Sequence, residues 1–233
     1  MDDQTVLITG GTRGIGRAVA ETFADNGAQV VLCGRDLAGV NRTVSRLNES
    51  TGSERVSGLR ADVRDTGDLA ALVDHAVDRG GEIDVLVANA AVNHGTPGEM
   101  PLQEESGSVF HDTMETNVRG VFETIKAAVP YLAPAGRVLI PSGSVAREAK
   151  PGMGSYAVSK AGAEALARGF AADLDQSVCV VDPGLVATEL TGIDKARDPD
   201  DIAPMYLWVA SEAESSEIDG EIIDLKTWKR STR

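Results

Sequence analysis

Residues 5–16 read Thr5-Val6-Leu7-Ile8-Thr9-Gly10-Gly11-Thr12-Arg13-Gly14-Ile15-Gly16, and the stretch on to Asn26 carries apolar residues at three- and four-residue spacing. An apolar run, a glycine-rich turn and an amphipathic helix thus follow one another without a break. Glycines at 10, 14 and 16 let the backbone approach a pyrophosphate closely, and the helix behind them aims its first N–H groups at that anion. Placement directly after a strand and before a helix is what gives a glycine-rich turn its weight.

Six further apolar runs follow: Val30 to Cys33, Val56 to Leu59, Val85 to Ala88, Val138 to Ile140, Val178 to Val181 and Ile222 to Leu225. They are continuous rather than alternating, which suits strands buried on both faces of a parallel sheet. Stretches of helical length and period lie between them, Leu69 to Val77 among these. No repeat, low-complexity tract or linker divides the chain. The expectation is one α/β domain over residues 1–233: a doubly wound, Rossmann-type fold with a seven-stranded parallel sheet and helices on both faces.

Lys and Arg total 22 against 36 Asp and Glu, a net charge of −14. A surface that negative repels phosphate backbones and anionic lipid, so neither nucleic acid nor membrane is the expected partner. No apolar run reaches the roughly 18 residues a membrane span needs, and the start, Met1-Asp2-Asp3-Gln4, is acidic where a signal peptide is basic. A cytoplasmic protein is expected. Six Lys against sixteen Arg, many carboxylates and 4% aromatics read as a surface adapted to high salt. Cys33 and Cys179 sit in apolar runs and read as buried thiols. His75, His94 and His111 lack metal-ligand spacing, so no metal site is expected.

The spacing of the first turn is Gly-x-x-x-Gly-x-Gly. Here the chain resembles the short-chain dehydrogenase/reductase family, whose Thr-Gly-x-x-x-Gly-x-Gly turn is matched by Thr9, Gly10, Gly14 and Gly16; the resemblance runs from residue 5 to about residue 225. The resemblance implies a nicotinamide dinucleotide held by Gly10, Thr12, Arg13, Gly14, Ile15 and Gly16. It places Asp62-Val63 beside the adenine, and Asn89-Ala90 where the family usually reads Asn-Asn-Ala-Gly, with Ala91 departing from the final glycine. The second strand ends Cys33-Gly34-Arg35-Asp36. Gly34 takes the position of the acid that grips a ribose 2′-hydroxyl, while Arg13 and Arg35 suit a 2′-phosphate. NADP(H) is therefore expected over NAD(H). Asp36 is the carboxylate that a slight shift would bring to the ribose.

Tyr156-Ala157-Val158-Ser159-Lys160 opens an alanine-rich helix, with Tyr156 and Lys160 one turn apart. Ionising a tyrosine near pH 7 costs about 4 kcal/mol, and a cation about 5 Å away at an effective dielectric near 20 supplies about 3. A phenol so tuned gives a proton to a carbonyl oxygen as hydride arrives and recovers it in reverse. The resemblance adds Ser144, rather than the turn-capping Ser142, as the group that hydrogen-bonds the substrate carbonyl. It adds Asn117 as holder of a relay water. In Asp182-Pro183-Gly184-Leu185-Val186-Ala187-Thr188, Pro183, Gly184, backbone groups near Val186 and the Thr188 hydroxyl are expected to hold the nicotinamide carboxamide.

Only residues 189–200 separate Thr188 from the next apolar helix, too few for the two-helix cover of the family. The cleft is expected to be open, walled in part by Tyr206, Trp208 or a neighbouring subunit, with Trp228 packed across an interface of a homodimer or homotetramer. The expected reaction is reversible reduction of a small carbonyl compound to an alcohol, with a 3-oxoacyl thioester slightly favoured. An NAD(H)-dependent alcohol, sugar or polyol dehydrogenase and a non-catalytic dinucleotide sensor are the alternatives.

Overall fold

The structure, a computed structural model, describes residues 1–232. The strands are β1 (Thr5–Ile8), β2 (Gln29–Gly34), β3 (Val56–Arg60), β4 (Ile83–Val87), β5 (Leu132–Pro141), β6 (Ser177–Asp182) and β7 (Ile222–Asp224). The helices are α1 (Gly14–Asp25), α2 (Leu37–Thr51), α3 (Thr66–Gly80), α4 (Gly107–Met114), α5 (Gly120–Ala128), α6 (Gly154–Asp173), α7 (Pro199–Ser211), α8 (Ser215–Ile218) and α9 (Leu225–Ser231). Among the described residues the strands form one parallel sheet in the order β3-β2-β1-β4-β5-β6-β7.

Successive strand side chains face opposite sides, and both sides are dry. Val6 and Ile8 of β1 join Phe23, Leu47, Ile202 and Tyr206 from α1, α2 and α7. Leu7 joins Leu72, Ile125, Ala163 and Ala167 from α3, α5 and α6. Each large apolar side chain, fully buried, contributes roughly 1.5–3 kcal/mol, which is why the strands read as unbroken apolar runs. Burial also pushes the Cys33 and Cys179 thiols up to about 11 and about 12. The chain reverses its direction of travel across the sheet between β1 and β4, so the connections at their C-terminal ends diverge and leave a crevice there.

Two expectations are corrected. Tyr206 (0% exposed) and Trp208 (7%) do not wall a cleft; they lie in the core under the sheet. The period of α7 turns them inward, and Pro204, sitting in the helix interior, does not divert it. Trp228, partly buried, packs against that same core. It does so because residues 225–231 form a helix that the apolar pattern does not announce, capped by Asp224, whose Oδ1 accepts from the Thr227 N–H at 2.7 Å. Strand β5 starts six residues earlier than its apolar run, since Pro134 and Gly136 disguise its first half and a register shift against β4 accommodates them. Between Thr188 and α7 there is no helix. That segment folds back instead, with the Ala187 N–H donating to the Arg197 carbonyl at 2.8 Å.

Candidate active site

A cavity of about 510 Å³ opens at the crevice, within the range of small-molecule sites. Gly10, Thr12, Arg13, Gly14 and Ile15 form one wall. Gly10 has φ +66°, and a Cβ there would lie 2.9 Å from Ala90 Cα. A Cβ on Gly16 would lie 2.3 Å from the Gly10 carbonyl oxygen and 2.5 Å from Asn89 Nδ2. The turn therefore sits flush against the loop after β4. Asn89 locks it there, donating from Nδ2 to the Thr9 and Gly10 carbonyls at 3.0 Å each, while Thr9 Oγ1 accepts from the N–H groups of Asn89 and Ala90. The first turn of α1 carries no carboxylate, so its free N–H groups face the cavity without a competing anion.

At the far end stand Gly34, Arg35, Asp62 and Val63, joined by Arg42 and Thr43 from α2. A Cβ on Gly34 would meet Thr12 Cγ2 at 2.8 Å. Asp36 also lines this end: its two oxygens accept from the N–H groups of Ala38 and Gly39 at 3.1 and 3.0 Å and cap α2, and one of them lies 3.5 Å from the Arg42 guanidinium. The Arg64 guanidinium beside Asp62 holds that carboxyl below the usual range. Arg13 pairs with Glu189 across the mouth. Thr116 also lines the cavity, and its buried hydroxyl has no partner among the described residues. A glycine cradle, an anion-ready helix end and an orphaned hydroxyl together fit a dinucleotide.

The expected reacting groups gather beside this cavity without lining it. Lys160 Nζ sits 5.7 Å from the centre of the Tyr156 ring and donates to the Pro141 carbonyl at 3.0 Å. Asn117 lies in a widened, π-helical turn at Glu115–Arg119. Its side chain exchanges hydrogen bonds with the Val92 backbone at 2.8 and 2.9 Å and donates to Ser159 Oγ at 3.0 Å; Ser159 in turn donates to the Tyr156 carbonyl. The carboxamide is thus a clamp joining α6 to the cavity wall. Ser144 begins the loop after β5 and accepts from Lys150 Nζ at 3.1 Å. Ser142 is not a turn cap: it donates to Glu164 Oε1 at 2.7 Å. Thr188 reaches the cavity, Val186 is buried with its carbonyl accepting from Thr191, and Pro183-Gly184 turns the chain out of β6.

In this setting burial works against the acidity that the lysine would lend the phenol. Burial pushes Tyr156 up to about 12 and pulls Lys160 down to about 8. Desolvation penalises both charged forms, and it outweighs the attraction that their spacing suggests. The resulting pH dependence has a definite sign. Above about pH 8 the folded chain has released the Lys160 proton, which the unfolded chain keeps until about 10.5. Stability relative to Lys160→Met is thus expected to rise by about 2 kcal/mol between pH 8 and 9.5. Denaturant titrations of both proteins at those pH values measure it.

One group of residues is not apparent from the sequence. Glu164, Asp182 and Arg147 form a cluster behind the reacting groups, with the Arg147 guanidinium bridging the two buried carboxylates. Glu164 follows Lys160 by four residues on α6 and favours its charged form; that spacing is the signal that could have exposed it.

Residues 4–198 match the family described as short chain dehydrogenase. A 3alpha-hydroxysteroid dehydrogenase of Mediterraneibacter gnavus is 28% identical over 251 residues, spanning 99% of this chain and 98% of its own. A short chain dehydrogenase of Shigella flexneri complexed with NADP superposes with a TM-score of 0.86 at 28% identity, covering 97% of this chain and 98% of its own. A 3-ketoacyl-(acyl-carrier-protein) reductase of Brucella melitensis complexed with NADH gives 0.86 at 25%, covering 96% and 97%.

Proposed function

The chain belongs to the short-chain dehydrogenase family of NAD(P)-dependent oxidoreductases acting on CH–OH donors, and we propose that within it the protein is an NADP(H)-dependent reductase of small carbonyl compounds, running in reverse as an alcohol dehydrogenase. One observation carries this reading: through Asn117 and Ser159, the backbone of Tyr156, whose ring lies beside Lys160, is hydrogen-bonded to Val92 in the cavity wall.

The cofactor preference follows from charge. Arg35 and Arg42 border the far end of the cavity and Arg13 its glycine wall, while the Asp36 carboxylate is engaged in capping α2 and in pairing with Arg42. Guanidinium groups bind a phosphate dianion bidentately. Gly10, Gly14, Ile15 and Gly16 would hold the pyrophosphate, Asp62 and Val63 the adenine, and Thr188 with the backbone near Val186 the carboxamide. The bound nicotinamide supplies or accepts the hydride.

The chain's own part is proton transfer and orientation. The hydroxyls of Ser144 and Tyr156 receive the substrate carbonyl oxygen, stabilising the charge that develops there. Tyr156, kept protonated by burial, donates its proton to that oxygen in reduction and takes it back in oxidation. Lys160, oriented by the Pro141 carbonyl, stabilises the phenolate left behind. Glu164 keeps a counter-charge one turn further along.

Oxidation of NADPH and NADH with a panel of ketones and 3-oxoacyl thioesters tests the reading. NADPH preferred by tenfold or more, with turnover of at least one ketone, is the expected result; NADH preferred tenfold overturns the cofactor assignment. Glu189 competes with the 2′-phosphate for Arg13. Exposed ion pairs of this kind are worth up to about 1 kcal/mol, so Glu189→Gln is expected to lower KM for NADPH about twofold to fivefold and leave KM for NADH unchanged. The outer face of α4, α5 and α6 exposes Phe110, Phe122 and Val158, which supports a homodimer or homotetramer built there; sedimentation velocity measures it.

A further inference from the structure

We propose that Lys150 selects carbonyl substrates that carry a carboxylate one or two carbons from the reacting carbonyl, the short 2- and 3-oxo acids, and the matching hydroxy acids in reverse. The inference rests on the reading of Ser144 and Tyr156 as the groups that receive the carbonyl oxygen, and it adds a substrate class to that site.

Three cations lie near the reacting groups, and two are committed elsewhere. Lys160 is buried and turned to the Pro141 carbonyl. The Arg147 guanidinium bridges Glu164 and Asp182. Lys150 is different. It is half exposed, and its ammonium touches the hydroxyl of Ser144 at 3.1 Å and the carboxylate of Glu148 at 2.7 Å.

Its position is built by the fold rather than left to a loose loop. The N–H groups of Arg147 and Glu148 both donate to the Ser144 carbonyl, at 3.0 and 2.9 Å, and the Lys150 N–H donates to the Glu148 carbonyl at 2.9 Å. Two residues on, the Gly152 carbonyl accepts from the N–H groups of Gly98 and Met100 at 2.9 Å each. Gly152 has φ +72°, and a Cβ there would lie 2.2 Å from the Gly98 carbonyl oxygen, so the loop is seated tightly at that end too.

Distance then sets the substrate. A carbonyl oxygen hydrogen-bonded by Ser144 lies about 2.8 Å from Oγ. The ammonium is 3.1 Å from the same atom, so the two are at most about 6 Å apart. In a 2- or 3-oxo acid the carboxylate oxygens lie about 3–4 Å from the ketone oxygen, given ordinary bond lengths, and so come within reach of Nζ. An ester or thioester at the same place offers no charge.

Glu148 shows that the pair accepts a carboxylate. Lys150 beside it, with a smaller contribution from Ser144, holds the Glu148 carboxyl below the usual carboxylate range. Glu148 is 52% exposed, free to swing into water, and an exposed pair of this kind resists exchange weakly. A substrate carboxylate, oriented by the hydrogen bonds to its own carbonyl, replaces it. In a chain of net charge −14, one cation at the reacting centre decides whether an anion enters at all.

Acetoacetate and its methyl ester differ only in that charge. Wild type, Lys150→Gln and Lys150→Arg are compared by NADPH oxidation, and by calorimetric binding of acetoacetate in the presence of NADP+, where no turnover occurs. The expected result is a kcat/KM for acetoacetate about tenfold above that for the ester in wild type. Lys150→Gln abolishes the ratio through KM and weakens calorimetric binding about tenfold, and Lys150→Arg restores most of both. An unchanged ratio in Lys150→Gln, or a tenfold preference of wild type for the ester or for an acetoacetyl thioester, overturns the proposal. If wild type oxidises NADPH with no ketone, the reductase reading fails. Calorimetry still decides the carboxylate site, which stands if Lys150→Gln weakens acetoacetate binding and falls if wild type binds none.

Discussion

Tyr156→Phe is expected to lower kcat for ketone reduction by about a thousandfold, within the 10²–10⁴ range that a positioned proton donor supplies. The substitution removes one hydroxyl from a side chain whose ring sits over Lys160 and whose backbone carbonyl is held by Ser159. Neither contact involves the phenolic oxygen, so the helix keeps its place. NADPH affinity, read from the quenching of protein fluorescence, is expected to stay within about twofold of wild type. Unimpaired turnover in Tyr156→Phe would show that the proton comes from another group and that the mechanism is wrong.

Gly16→Ala is expected to remove NADPH binding measurable at 1 mM, on the order of a hundredfold loss or more, and to destabilise the fold by about 1–3 kcal/mol, the usual cost of overpacking. The new methyl would lie 2.3 Å from the Gly10 carbonyl oxygen. Relief requires the glycine turn to move away from Asn89, breaking both hydrogen bonds that hold it against the loop after β4. Since the same turn presents the N–H groups of α1, the damage falls on nucleotide affinity more heavily than on stability. Calorimetric NADPH titration and denaturant melts separate the two, and an alanine variant that binds NADPH normally would sink the assignment of the turn.

Much of this fold is legible in the order of residues alone. A sheet dry on both sides leaves unbroken apolar runs, and all seven strands are found where such runs lie. Glycine, tyrosine and lysine at 10, 14, 16, 156 and 160 can be read because their short spacings along the chain carry the signal. What stays hidden depends on distant pairings. Nothing local tells that Glu189 reaches back across 176 positions to Arg13. Tyr206 and Trp208 are easily misplaced because large aromatics next to a short loop serve equally well as cleft wall and as core. The net shift of Tyr156 is not legible from spacing, because a sequence gives the separation of two charges but not the loss of water around them.

The contact between Gly34 and Thr12 bears on how such a protein could change coenzymes over time. An acid introduced at residue 34 would bring a β-carbon to 2.8 Å from the threonine methyl, so it is tolerated only once residue 12 has shrunk. Residues 12 and 34 are therefore coupled by packing, and any exchange of coenzyme made through position 34 would have to involve both.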